Sequence, residues 1–172
     1  IFNLYPKLRA EEILSCASKK VKAEKFAVWK LLEFAVSETF GLDFAKLNFS
    51  KTENGKWECD KFCFSLSHSE NAVAVAISKK QVGVDIQIVK SVKEDAIEKY
   101  LTDGERKVFN TIAQEEKQPF LLKTFSAKES LFKLSGERAF LPSKRDALCE
   151  SVAIKEIDFN GQKYILSDWL PD

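Results

Sequence analysis

Four side chains in this sequence could do chemistry together. His68 is the only histidine of the chain and stands in a Ser-His-Ser triplet. Asp85 lies in an otherwise apolar run, VGVDIQ (82–87). Glu129 and Lys133 stand four residues apart in FSAKESLFKLSG (125–136), a spacing that puts them on one face of a helix. A carboxylate in a central strand is costly unless it meets a cation, a donor network or a mouth open to water. Taken singly, each residue has a plainer use. Asp85 could bond a neighbouring turn or pair with a lysine, Glu129 and Lys133 could form a surface ion pair, and His68 could be a hydrogen-bonded loop residue. Several familiar chemistries are excluded. The Ser-His-Ser triplet lacks the strand-elbow-helix setting of a nucleophilic serine, and neither GxxxxGK[ST] nor GxGxxG occurs. The four cysteines, Cys16, Cys59, Cys63 and Cys149, contain no CxxC pair. With one histidine they do not make a zinc site of familiar spacing, so they read as reduced, mostly buried thiols.

The elements that must position these groups are those of an ordinary globular chain. Its 172 residues are 45% hydrophobic and 31% charged, enough for one domain or two lobes sharing a core. Lysine plus arginine is 27 against 26 acidic residues, a net charge of +1, which argues against a dedicated nucleic-acid binder. No apolar run reaches the length of a membrane span. The opening IFNLYPKLRAEE lacks the order of a signal peptide, so a cytoplasmic setting is the default expectation.

Residues 18–40 predict a long helix, with Val21, Val28, Leu32 and Ala35 at helical spacing, a lysine-rich opposite face and Gly41 as its stop. LNFSKTENGKWEC predicts a hairpin turning at Asn54-Gly55. KFCFSL predicts a half-buried strand, with Phe62, Phe64 and Leu66 on one face and His68 in the loop after it. AVAVAIS and QVGVDIQIV predict two central strands around a short lysine turn, and Asp85 and Gln87 share one face of the second. A helical stretch near 93–100 comes next. Thr102 and Glu105 then form a capping box, and a break near 115–118 places Pro119 at the first turn of a helix ending at Gly136. A last hairpin turns at Asn160-Gly161. The fold class expected is α+β with mainly antiparallel sheet.

In this order, NGKW (54–57), FSLSHS (64–69), VGVDIQ (82–87) and FSAKESLFKLSG (125–136) resemble the successive motifs of the larger, Sfp-type 4′-phosphopantetheinyl transferases. The family patterns run as GKP, F-N-x-S-H-S, G-[VI]-D-I-E and W-[ST]-x-K-E-x-x-x-K-x-x-G. The resemblance covers about residues 54–136 and implies two similar α/β lobes related by a pseudo-twofold, with the active site in the cleft between them. The lobes would be residues 1–84 and 85–172, in one compact monomer. It implies transfer of the 4′-phosphopantetheine arm of coenzyme A to a serine of an apo acyl or peptidyl carrier protein, with release of adenosine 3′,5′-bisphosphate. The carrier could serve fatty-acid, polyketide or nonribosomal-peptide synthesis.

By the same resemblance, Asp85 and Glu129 are ligands for Mg2+, and Glu129, or a water it orients, is the base. Lys133 reaches the coenzyme's phosphates, as do His68 with Ser67, while Lys56 lies on the coenzyme side. The departures are Gln87 for the family's glutamate, Phe125 for tryptophan, Ser65 for asparagine and Trp57 for proline. Gln87 motivates an alternative, a catalytically weak relative that binds coenzyme A or carrier protein without turnover.

Overall fold

The Ser18 hydroxyl accepts the Val21 N–H and opens helix α2 (Lys19–Phe40), which ends at Gly41 in the left-handed region at φ 64°, as the residue types require. The computed structural model describes residues 6–91, 99–148 and 151–169. Val28, Trp29, Leu32 and Val36 form the buried stripe of α2. Trp29 is the hub of the first core, with the rings of Phe49, Trp57 and Phe44 centred 5.1, 5.4 and 5.9 Å away. A shorter helix not expected from the sequence, α1 (Lys7–Leu14), packs on α2, and its Arg9 guanidinium lies 5.0 Å from the Trp29 ring.

β1 (Phe49–Lys51) and β2 (Trp57–Cys59) pair antiparallel across the Asn54-Gly55 turn, with Gly55 at φ 84°. β3 (Cys63–Ser69) pairs antiparallel with β4 (Ala72–Ser78) through Glu70 and Asn71, both at positive φ, as a two-residue hairpin demands. Two expectations change here. His68 is not in a loop; it sits within β3, opposite Val73. Nor is β3 half-buried, since Ser65 and Ser67 on its second face are as hidden as Phe62 and Phe64 on its first.

That second face faces β5 (Gly83–Ile88). β4 and β5 are not hydrogen-bonded neighbours, so the lysine turn between them joins two different sheets. β5 pairs instead with β7 (Gln162–Trp169), which pairs with β6 (Ala153–Phe159), all antiparallel, giving the order β5-β7-β6. On its other side β5 presents the N–H groups of Val84, Ile86 and Ile88, which donate to the hydroxyls of Ser65, Ser67 and Ser69 at 3.0, 3.2 and 3.1 Å. Serines at every second position of β3 thus serve donors that a further strand would otherwise serve. This is how FSLSHS joins the two sheets.

The capping box of Thr102 and Glu105 opens α3 (Asp103–Thr111) as expected. α4 (Gln114–Ser135) begins five residues before Pro119, so Pro119 lies inside the helix rather than at its start. The Glu116 carboxylate accepts the Ala113 N–H at 3.3 Å and fixes the earlier start. The proline removes only the bond to the Glu115 carbonyl, on an exposed turn that water can serve. Gly136 ends α4 at φ 64°, and Asn160 and Gly161, at φ 53° and 72°, turn the last hairpin. The stretch expected to be helical near 93–100 falls mainly on residues 92–98, outside the described residues. Cys16, Cys59 and Cys63 are free thiols, partly rather than mostly buried. The result is a mixed helix and sheet fold whose described strand pairs are all antiparallel.

α4 packs across β5 and comes closest to its backbone where β5 begins, at Gly83. A Cβ on Gly83 would stand 2.0 Å from the Ser130 carbonyl oxygen, and helix backbone does not yield as a flexible side chain would. Gly83→Ala is therefore expected to cost about 2–3 kcal/mol of stability, at the upper end of overpacking effects. A urea midpoint equal to wild type would show that the two elements are not held this tightly.

Candidate active site

Asp85 is 1% exposed, yet its charge is fully accommodated. Oδ1 accepts the Ser67 hydroxyl at 2.8 Å and the Lys133 ammonium at 2.7 Å. Oδ2 accepts the Ser126 hydroxyl at 2.9 Å and the Gln87 amide at 3.0 Å. Four donors meet the roughly four lone-pair sites of a carboxylate. They come from β3, β5 and α4, so the serine ladder and the Gly83 contact together set the geometry. Lys133 also donates to the Ser67 hydroxyl at 2.9 Å. Of the two plain readings of Asp85, the lysine partner is present and the neighbouring turn is not: its other donors are the side chains of Ser67, Ser126 and Gln87.

Asp85 lies in a cleft of about 280 Å³ that is open to solvent; Leu66, Ser67, His68, Asp85, Gln87, Phe125, Glu129 and Lys133 line it. Glu129 is not a surface ion-pair residue. Burial raises its pKa above the ordinary carboxylate range, the Lys133 charge lowers it in part, and the Asp85 charge raises it further. His68 is half-exposed, with Nδ1 3.1 Å from the carboxylate of Glu24 on α2. That contact orients the imidazole and leaves Nε2 for a ligand.

Lys56 is the one expected site residue that the structure places elsewhere. It lines a neighbouring, largely apolar cleft of about 280 Å³ with Asn54, Trp57, Phe64 and Phe132 among others, and the two clefts share Leu66 and Lys133. Its ammonium donates to the Leu134 carbonyl at 3.3 Å, near the C-terminal end of α4, where a cation is favoured. Burial lowers its pKa. Trp57 is buried in the first core, its indole N–H donating to Glu12 at 3.3 Å. In the lysine-rich start of α2, Lys20 is paired with Glu70 at 2.5 Å.

Three partners were not foreseen. Glu24 and Ser167 carry no motif, and only the fold brings them near the site. Lys128, within the Lys-Glu pair of the fourth motif, points away from the cleft. Its ammonium is fully buried and donates to Glu105 at 2.5 Å, the Tyr100 carbonyl at 2.7 Å and the Pro142 carbonyl at 2.8 Å. Its helix neighbour Glu129 faces the cleft, so one motif supplies an anchor and a site residue. Among the described residues no group of three His, Cys, Asp or Glu side chains could hold a metal ion, which leaves the two carboxylates and Gln87 as the donor set to consider. No described helix is long and apolar enough to cross a membrane.

Comparison with known proteins gives a consistent picture. The chain is similar to a 4′-phosphopantetheinyl transferase of Bacillus subtilis, 26% identical over 115 residues, which are 65% of this chain and 51% of the relative. It is also similar to the 4′-phosphopantetheinyl transferase ffp of Bacillus subtilis, 28% identical over 115 residues, again 65% of this chain and 51% of that one. This chain thus spans about half the length of the curated relatives it matches. A family profile described as the 4′-phosphopantetheinyl transferase superfamily matches residues 81–166, half of the chain, from just before β5 into β7. With Asp85, Glu129 and Lys133 inside that segment and facing one cleft, the chain belongs to the 4′-phosphopantetheinyl transferase superfamily.

Proposed function

We propose that this chain transfers the 4′-phosphopantetheine arm of coenzyme A to a serine hydroxyl of an apo carrier protein, releasing adenosine 3′,5′-bisphosphate. The observation that carries the reading is the convergence of Asp85, Glu129, Lys133 and His68, from β3, β5 and α4, on one cleft. In the reaction a bond forms between the serine oxygen and the phosphorus bearing the pantetheine arm. The bond from that phosphorus to the bridging oxygen breaks, and the adenosine bisphosphate leaves with it. Glu129 takes the serine proton, directly or through a water it orients; its raised pKa suits a base working near neutral pH. Lys133 moves from Asp85 to the diphosphate, a short change of partner for a side chain one helical turn beyond Glu129. His68 Nε2 and the Ser67 region hold a further phosphate, and Lys56 contacts the coenzyme from the neighbouring cleft.

The donor set fits Mg2+. Asp85 and Glu129 supply hard oxygen ligands, and the Lys133 and Gln87 contacts of Asp85 both lie on its cleft side and can be given up. A half-turn of the Gln87 amide would present its oxygen to the ion in place of its NH2. When bound, the ion would neutralise charge developing on the diphosphate. The two-lobed arrangement, residues 1–84 and 85–172, is part of this reading. The serine ladder between β3 and β5 would be its seam, and a single chain would contain the whole cleft as a monomer acting in the cytoplasm.

A second reading has a specific observation behind it. The Gln87 amide bonds Asp85 where a glutamate would add a ligand, which favours a relative that binds coenzyme A or carrier without turnover. Gln87→Glu separates the two. Under the transferase reading it lowers the magnesium concentration for half-maximal rate about 10-fold, the effect of one added anionic ligand. An unchanged magnesium titration removes Gln87 from the metal site. The reading itself is tested by chromatography of the nucleotide product. Adenosine 3′,5′-bisphosphate should accumulate from coenzyme A only when apo carrier protein and magnesium are both present; its absence from the complete mixture would contradict transfer.

A further inference from the structure

Neither Ser126 nor Ser167 lines the cleft, and both are fully buried. Ser167 lies on β7 directly opposite Asp85 in the strand register. Its hydroxyl donates to the Ser126 oxygen at 2.9 Å, and the Ser126 hydroxyl donates to Asp85 Oδ2 at 2.9 Å. Each hydroxyl has one hydrogen, so the chain runs one way, from β7 through α4 to the carboxylate. Serines inside helices usually return their hydroxyl to a carbonyl three or four residues back. Ser130 does this, bonding the Ala127 carbonyl at 2.8 Å. Ser126 does not, and the bond it receives from Ser167 favours the rotamer that reaches Asp85.

The donors around Asp85 fall into two kinds. Each oxygen has one buried hydroxyl donor, Ser67 or Ser126, and one donor on the cleft side, Lys133 or Gln87. Ser126 is fully buried and Ser67, at the cleft wall, is 5% exposed, whereas Lys133 and Gln87 stand more open to water. The hydroxyls therefore fix the plane of the carboxylate and aim its remaining lone pairs into the cleft.

We infer that Ser167, acting through Ser126, is a positioning residue that sets the orientation of the Asp85 carboxylate and hence the affinity of the cleft for a divalent cation. The inference rests on the reading of Asp85 as a metal ligand. Mn2+ serves as the probe, its binding to the folded protein followed by electron paramagnetic resonance with and without coenzyme A. Ser126→Ala and Ser167→Ala should each weaken Mn2+ binding about 5-fold, the scale of one lost hydrogen bond. Ser167→Thr, which keeps the hydroxyl and suits a strand, should restore it. In the Ser126→Ala background, Ser167→Ala should add nothing, because Ser167 acts only through Ser126. Thermal melts identify any variant that fails to fold; if Ser126→Ala is lost in this way, Ser167→Ala and Ser167→Thr carry the comparison. Wild-type affinity in Ser167→Ala, or losses that add in the double variant, would overturn the inference while leaving the metal reading intact. A wild-type protein that binds no Mn2+ in either condition would overturn both.

Discussion

Glu129→Gln is expected to lower phosphopantetheine transfer about 10²-fold while leaving the protein folded, the scale of losing a positioned base. The amide keeps the shape of the side chain and cannot take the serine proton. The same residue sets the pH dependence. Burial disfavours its charged form, so its pKa lies above the ordinary carboxylate range. The rate should rise with pH through that raised pKa and level off above it, and the Gln variant should lose this acid limb. Stability runs the other way. The folded state holds the Glu129 proton more tightly than the unfolded chain does, so stability present at low pH is lost as pH rises through the raised value. At neutral pH the ionised side chain weakens the fold, and Glu129→Gln should melt no lower than wild type. A full-rate Gln variant, or one that keeps the acid limb, would show that another group is the base.

Lys128→Met is expected to have the largest effect on stability, a loss of about 3–5 kcal/mol, because it leaves Glu105 charged, buried and unpaired. Glu105 is committed on every side. One oxygen accepts Lys128 at 2.5 Å and the Thr102 N–H at 2.7 Å, and the other accepts the Ala147 N–H at 2.8 Å. Removing the lysine thus loosens the start of α3, the turn near Pro142 and the middle of α4 together. Glu129 is the next residue on α4, so any activity lost in Lys128→Met should follow the unfolded fraction and recover on cooling. Denaturant titration measures the stability loss. A change under about 1 kcal/mol would show that the pair is not the anchor described here.

The parts of this fold legible in the sequence are those written within a few residues of chain. The Thr102–Glu105 capping box, the glycine stops at Gly41 and Gly136 and the Asn160-Gly161 turn all lie where their local chemistry requires. Asp85, Glu129 and Lys133 were legible as one site only through the order of their motifs, since nothing local distinguishes Glu129–Lys133 from a surface pair. What stayed hidden depends on partners distant in sequence. The serines of FSLSHS alternate as an exposed face would, yet all three bond β5, 19 residues further on, and Ser65 and Ser67 are buried there. Apolar alternation has no symbol for a hydroxyl standing in for a strand. His68 lies on the opposite face of β3, and its partner Glu24 sits one turn before Val28 on the buried side of α2. Pro119 is a strong helix-start signal that points past the true start of α4 at Gln114; a proline little more than one turn into a helix removes a single bond and is tolerated.

The central claim is that the cleft around Asp85, Glu129 and Lys133 performs phosphopantetheine transfer. Intact-mass spectrometry of an apo carrier protein, incubated with this chain, coenzyme A and magnesium, tests it most directly. The account predicts a mass gain of one phosphopantetheine arm, abolished by EDTA and strongly reduced with Glu129→Gln. No gain on fatty-acid, polyketide or peptide-synthetase carriers, from a folded protein that still binds coenzyme A, would contradict it.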